Sequence, residues 1–208
     1  MAKRRTITAE ELLAKLNKDP SYLQRKAHDE SALERLRMEL SDAEAPLVKA
    51  LGSVGITVSS VWDLVNTSGS YRLAIPVLLK HLKMPYPDAI IAGIARALGT
   101  QDAREYGWQI IVDQYVKTDP ITNPRAKEGL AVALAGASDD SVIGDLVDLV
   151  TDEKNGQSRV LLLLGLRRSK VPLARQVILD LSRDPQFMEE IRSWRFESHE
   201  WALSGAEG

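Results

Sequence analysis

The chain has no cysteine. That absence removes disulfides, thiol nucleophiles, cysteine-based zinc sites and thiolate-held iron–sulfur clusters together. It is also compatible with a reducing compartment. Histidine is scarce, with only His28, His81 and His199, far apart in sequence. None belongs to a recognised catalytic motif, and no G-x-S-x-G, P-loop, H-E-x-x-H or Rossmann glycine fingerprint occurs. Long hydrophobic runs are missing too. Runs such as Val160 to Leu166 are far short of the roughly 20 residues that a membrane span requires. The basic start Met1-Ala2-Lys3-Arg4-Arg5 lacks an apolar stretch behind it, because Glu10 and Glu11 follow at once. A cytoplasmic protein without a membrane contact is expected. Charge of one sign is also lacking: 27 Lys+Arg face 29 Asp+Glu, a net −2. No global field draws the chain to nucleic acid or to an anionic surface. No metal or cofactor is expected.

What is present is an ordinary globular composition, 44% hydrophobic and 27% charged over 208 residues, enough for one domain or a short repeat array. Helix signals dominate. Thr8-Ala9-Glu10-Glu11 has the capping-box pattern, with Ile7 and Leu12 placed as a hydrophobic staple, so a first helix is predicted from Ala9. Asp19-Pro20 reads as N-cap and first helical residue of a second one. Its apolar residues Leu23, Ala27, Leu33, Leu36, Leu40, Ala43 and Leu47 form a narrow stripe. Ser41-Asp42-Ala43-Glu44 has a second capping-box pattern and Pro46 follows, so this helix is expected to break or kink there. Gly52 and Gly55 close the segment. Two readings of residues 1–55 stand: a helical segment packing on the domain that follows, or a coiled-coil arm for self-association. The stripe lacks a sustained heptad register, which favours the first. The oligomeric state stays open.

From Val61 the chain repeats itself. Leu78-Leu79-Lys80, Ile111-Val112-Asp113, Leu146-Val147-Asp148 and Ile178-Leu179-Asp180 each place a charge after two apolar residues, at spacings of 33, 35 and 32. Between them lie helices rich in Ala, Gly and Leu, at 89–98, 127–134 and 160–166, of a kind that lets neighbours approach closely. Pro87, Asn123-Pro124 and Asp184-Pro185 mark helix starts, and Asp102 and Asp139/Asp140 stand where N-caps belong. The predicted helix pairs are 61–82, 87–117, 124–150 and 157–182, with Pro76 interrupting the second helix of the first pair. No strand of useful length is expected, since Ile56-Thr57-Val58 is too short. A period in the thirties built from helix pairs is the mark of an α-solenoid.

On these residues, about 61–182, the chain resembles bacterial HEAT-repeat proteins. The fold class expected is all-α: a solenoid of about four HEAT-like helix pairs at 56–183, preceded by the segment 1–55 and closed by a capping helix and tail at 184–208. In such a stack the resemblance implies that second helices line a concave face where partners bind. Lys80, Asp113, Asp148 and Asp180 then share one position, with Asp145 and Asp152 close to Asp148 on the same helix. Residues 125–155 hold three basic side chains against seven acidic ones. This reads as an acidic surface for a protein or peptide with a basic patch, and the function as a non-catalytic interaction scaffold or adaptor. The carboxylates lie about one repeat apart, roughly 10 Å, too far to share a metal ion.

Trp62 and Trp108 fall on apolar faces and are expected in the core. Trp194 and Trp201 continue a stripe from Phe187 and Ile191, which either caps the open end of the array or docks a partner. Arg167-Arg168 with Lys170 is a small basic patch placed on a loop. One alternative shares the architecture: HEAT-like alkylpurine DNA glycosylases, small solenoids whose basic groove carries Trp and a catalytic Asp. Trp108 and Asp113 superficially match that pair. The inferred face is acidic where DNA requires Lys and Arg, so nucleic acid is not the expected partner.

Overall fold

The computed structural model describes residues 7–67 and 69–194. Every regular element among them is helical, and no helix among the described residues is long and apolar enough to cross a membrane. The chain divides into two compact units, Met1–Ala43 and Glu44–Gly208.

In the first unit, α1 (Ala9–Leu16) starts on the capping box read from the sequence. The Glu11 amide donates to Thr8 Oγ1 at 3.2 Å and the Thr8 amide to Glu11 Oε2 at 3.3 Å. Helix α2 (Pro20–Ser53) begins where Asp19 Oδ1 accepts from the Ser21 hydroxyl at 2.8 Å and the Ser21 amide at 2.9 Å. These bonds hold the Asp19 carboxyl below its ordinary value. No residue from 7 to 43 is buried.

The expected break in α2 does not occur. The helix runs through Pro46. Proline at that position deprives the Asp42 carbonyl of its helical donor. Both residues are exposed, so water can take the donor's place. Ser41–Glu44 is therefore no capping box. Glu44 is instead a buried acceptor, receiving the Val61 amide at 2.5 Å and the Ser60 hydroxyl at 3.1 Å. The helix ends on a Schellman motif: Ile56 N–H donates to Leu51 C=O and Gly55 N–H to Gly52 C=O, with Gly55 at φ +82°.

Beyond it come α3 (Trp62–Val65), a 3-10 turn (Arg72–Ala74) leading into α4 (Ile75–His81), α5 (Asp88–Ala97), α6 (Gln101–Lys117), and α7 (Pro124–Ala137). A 3-10 turn (Asp140–Val142) enters α8 (Ile143–Thr151), another (Glu153–Ser158) enters α9 (Arg159–Arg168), and α10 (Pro172–Leu181) and α11 (Pro185–Ser193) follow. Helices α3, α5, α7 and α9 touch in succession, with α5 against α7 the most extensive contact. Helix α4 touches α6, α8 touches α10, and α4, α6 and α8 pack on α5, α7 and α9. The first set carries the Ala/Gly/Leu sequences. Gly129 of α7 lies against the Ala92 backbone of α5, where an added Cβ would come within 2.8 Å of the Ala92 carbonyl oxygen.

In α4, α6 and α8 the helical geometry changes near the same repeat position. The 3-10 turn passes into α4 at Ile75, Gly107 interrupts α6 with φ −157° and ψ 20°, and the 3-10 turn passes into α8 at Ile143. Polar ties join residues at matching repeat positions: Arg72 pairs with Glu105 at 2.8 Å and Arg104 with Asp139 at 2.7 Å. Several local expectations are corrected. Thr100, not Asp102, caps α6, which leaves the Asp102 carboxylate 3.8 Å from Arg72. Pro76 sits in the first turn of α4, where no N–H is needed, and so opens that helix rather than interrupting it. Pro87 is the residue before α5. Arg167 and Arg168 occupy the last turn of α9, where cations meet the unpaired carbonyls. Trp62 is 39% exposed, its ring edge lying over Gly93.

Candidate functional site

Each residue of the aligned charged series follows a buried residue two positions earlier. Leu78, Ile111, Leu146 and Ile178 are all essentially inaccessible, and Lys80, Asp113, Asp148 and Asp180 are all exposed. Residues two positions apart on a helix differ by about 200°, so inward packing of the first forces the second outward. The series is thus presented to solvent on α4, α6, α8 and α10 by the packing of the hydrophobic partner. Two of its carboxylates are steadied from one turn back: Gln109 donates to Asp113 at 3.0 Å and Gln176 to Asp180 at 3.1 Å.

The other two acidic candidates have structural employment. Asp145 Oδ2 accepts the indole N–H of Trp108 at 2.6 Å, which ties α6 to α8. Asp152 ends α8 and caps the next turn, accepting the Lys154 amide at 3.0 Å. Trp108 itself is buried. In the C-terminal stripe Phe187, Ile191 and Trp194 are buried, α11 touches α9 and α10, and Arg167 lies 4.9 Å from the Trp194 ring. Trp201 and His199 lie outside the described residues. His81 is buried, with Nδ1 2.7 Å from the Tyr86 hydroxyl. Burial, with Lys80 beside it, lowers its pKa.

The sequence reading missed a second constellation, a buried polar network around Lys127. The Lys127 side chain is 1% exposed. Its Nζ donates to the Tyr115 carbonyl at 2.5 Å and to Asn155 Oδ1 at 2.8 Å, and lies 3.9 Å from the Tyr115 ring centroid. Asn155 in turn donates to the Leu149 carbonyl at 2.9 Å, and Ser158 shares a 2.9 Å hydrogen bond with the Tyr115 hydroxyl. Arg159 completes the cluster, donating to the Val150 carbonyl at 3.1 Å and to Gln186 at 2.7 Å. Burial brings the Lys127 ammonium down to about 8 and pushes the Tyr115 phenol up to about 12. All three ammonium hydrogens have a protein group to address, so the network works as a tie between α6, α7 and the turn before α9. The signal was in the sequence: Lys127 shares helical spacing with Leu130, Ala131 and Leu134, which puts it on the covered face.

Among the described residues, no group of three or more His, Asp or Glu side chains could hold a metal ion. No protein-family model, curated protein or solved structure matches this chain.

Proposed function

We propose that residues 56–183 form a HEAT-like α-solenoid serving as a non-catalytic, cytoplasmic interaction scaffold, and that the outward residues of its second helices take up a basic protein or peptide. The observation that carries this reading is the common register: a buried apolar residue followed two positions later by an exposed Asp113, Asp148 or Asp180. Charge presented this way steers encounter and selects partners more than it adds affinity. Exposed carboxylates with no burial cost can serve that role, whereas Asp145 and Asp152 are held by the fold. The DNA glycosylase-like alternative draws no support from Trp108, whose ring is buried and whose N–H is taken by Asp145.

The test is a pull-down from a cell lysate followed by affinity measurement with the purified partner. The partner should carry a Lys/Arg-rich surface. Replacing Asp113, Asp148 and Asp180 with Lys should weaken it by about tenfold or more, with a matching loss of salt dependence. A partner that binds this variant unchanged overturns the acidic-face reading. Micromolar binding to duplex DNA with a steep salt slope overturns the protein-scaffold reading.

A further inference from the structure

We propose that residues 26–43 of α2 pair with the same segment of a second copy as an antiparallel two-helix coiled coil. Over this stretch alone, too short to count as a sustained register, the two heptad core positions are taken by Lys26, Leu33 and Leu40 and by Asp29, Leu36 and Ala43. Leu33 and Leu36 are 48% and 49% exposed, and no residue from 7 to 43 is buried. The same seam continues into Leu47, which is fully buried. One face of one helix is therefore covered along its later turns and bare along its earlier ones.

The charges on this bare stretch select both the occupant and its direction. In a parallel pair Asp29 would face Asp29 and Lys26 would face Lys26, two like-charge contacts in the seam. Running the second copy antiparallel removes both. With Leu33 level with Leu36 of the second copy, Asp29 lies level with Leu40 and Lys26 with Ala43. The flanking Arg37 of each copy then lies about one turn or less from Glu30 and Asp29 of the other, and symmetry makes this contact twice. Sliding the pair by one heptad in either direction ruins the match. One shift opposes Glu30 to Glu30, and the other opposes Arg37 to Arg37. Of these registers only the one that sets Leu33 against Leu36 also brings Arg37 to carboxylates, and the helix is complementary in charge to itself there.

Sedimentation equilibrium of the full chain over a micromolar concentration series tests this. A reversible monomer–dimer equilibrium is expected. Leu33→Glu with Leu36→Glu should abolish it, while helix content and Tm match the wild type at concentrations where the wild type is monomeric, since both residues are exposed in the single chain. Glu30→Arg and Arg37→Glu should each raise the dimer Kd by about tenfold. The double variant E30R/R37E should return to within about threefold of the wild type. A chain that is monomeric throughout, an assembly larger than a dimer, a dimer that survives the two Leu→Glu changes, or a charge swap that fails to recover would each overturn the proposal.

Discussion

The Lys127 ammonium donates to the Tyr115 carbonyl 2.5 Å away and at the same time faces the ring of that residue, 3.9 Å from its centroid. One side chain of α7 thus satisfies the C-terminal end of α6, and through Asn155 it also fixes the turn before α9. Lys127→Met keeps most of the apolar stem but orphans two buried acceptors. An unmet buried acceptor costs about 1–3 kcal/mol, and removing the buried charge offsets part of the total. A net loss of about 1–3 kcal/mol is expected in denaturant unfolding. No loss would show that the desolvation of the amine outweighs its hydrogen bonds.

The same network predicts a pH dependence. Lys127 has a folded pKa of about 8 against an ordinary 10.5, so below pH 8 both states are protonated and the burial cost is present in full. Between pH 8 and pH 10.5 the folded state releases its proton first, the unfolded state holds more protons, and stability rises with pH. Tyr115 acts in the opposite sense. Its pKa is raised from 10 to about 12, so between those values the unfolded state ionises first and stability falls. The two groups together favour the folded state most near pH 10. Wild type should gain on Lys127→Met by up to about 3 kcal/mol between pH 8 and pH 10.5. Parallel Tm-against-pH curves for the two proteins would refute this.

Glu44 carries the next prediction. Its carboxylate receives the Val61 amide and the Ser60 hydroxyl, both from the segment that enters α3. Glu44→Ala leaves a buried amide unpaired and should cost about 2 kcal/mol. Glu44→Gln retains a carbonyl acceptor and should cost less than half of that. Equal losses for the two variants would mean that charge, rather than the acceptor itself, holds the segment.

How far the sequence foretold this can be traced residue by residue. The helix positions, the Thr8/Glu11 box, the proline-led starts of α7 and α11 and the close-packed glycine faces were legible, whereas the pairing was not, since α4, α6 and α8 pack on α5, α7 and α9 rather than on the helices that precede them. Glu44 was not. Its spacing to Ser41 imitates a capping box, and only contact with residues 16 and 17 positions away reveals a mid-helix acceptor. Pro46 misled for a related reason, since a proline ends a helix only when the freed carbonyl has nowhere to turn. Lys127 was passed over by convention: a lysine reads as a surface residue, although its spacing with Leu130, Ala131 and Leu134 marks the covered face, and only its partners Asn155 and the Tyr115 carbonyl show what it does there. Of the acidic series, Asp113, Asp148 and Asp180 were placed outward correctly by the alternation around a buried residue. The pairing of Asp145 with Trp108 could not be read, because it joins different helix pairs.

That pairing supports a fourth prediction. Asp145 is exposed while Trp108 is buried, so the carboxylate reaches inward to the donor of a buried ring. Asp145→Ala should cost about 1–2 kcal/mol and alter the Trp108 emission, whereas Asp145→Asn keeps an acceptor and should stay close to wild type. Asp148→Ala, three residues from Asp145 on the same helix but removing no bond to Trp108, should change stability by less than about 0.5 kcal/mol. If Asp145→Ala also proves neutral, the indole bond contributes nothing, and Asp145 rejoins Asp113, Asp148 and Asp180 as a candidate for partner binding.

Two glycines separate a packing role from a merely permissive one. At Gly129 an added Cβ would meet the Ala92 carbonyl oxygen at 2.8 Å and its Cα at 2.9 Å. These are backbone atoms of α5, so relief requires the two helices to move apart along their most extensive contact. Gly129→Ala should therefore destabilise by about 1–3 kcal/mol despite alanine's better helix propensity. At Gly144 nothing lies within 4 Å of the added Cβ, and the residue is exposed in the first turn of α8. There the reduced freedom of the unfolded chain is the only consequence, and Gly144→Ala should stabilise by about 0.4–1 kcal/mol. Opposite signs for the same chemical change, read from two chemical melts, would show that α5 and α7 are held at glycine distance. If both substitutions stabilised, the α5–α7 contact would have to be looser than the 2.8 Å approach requires.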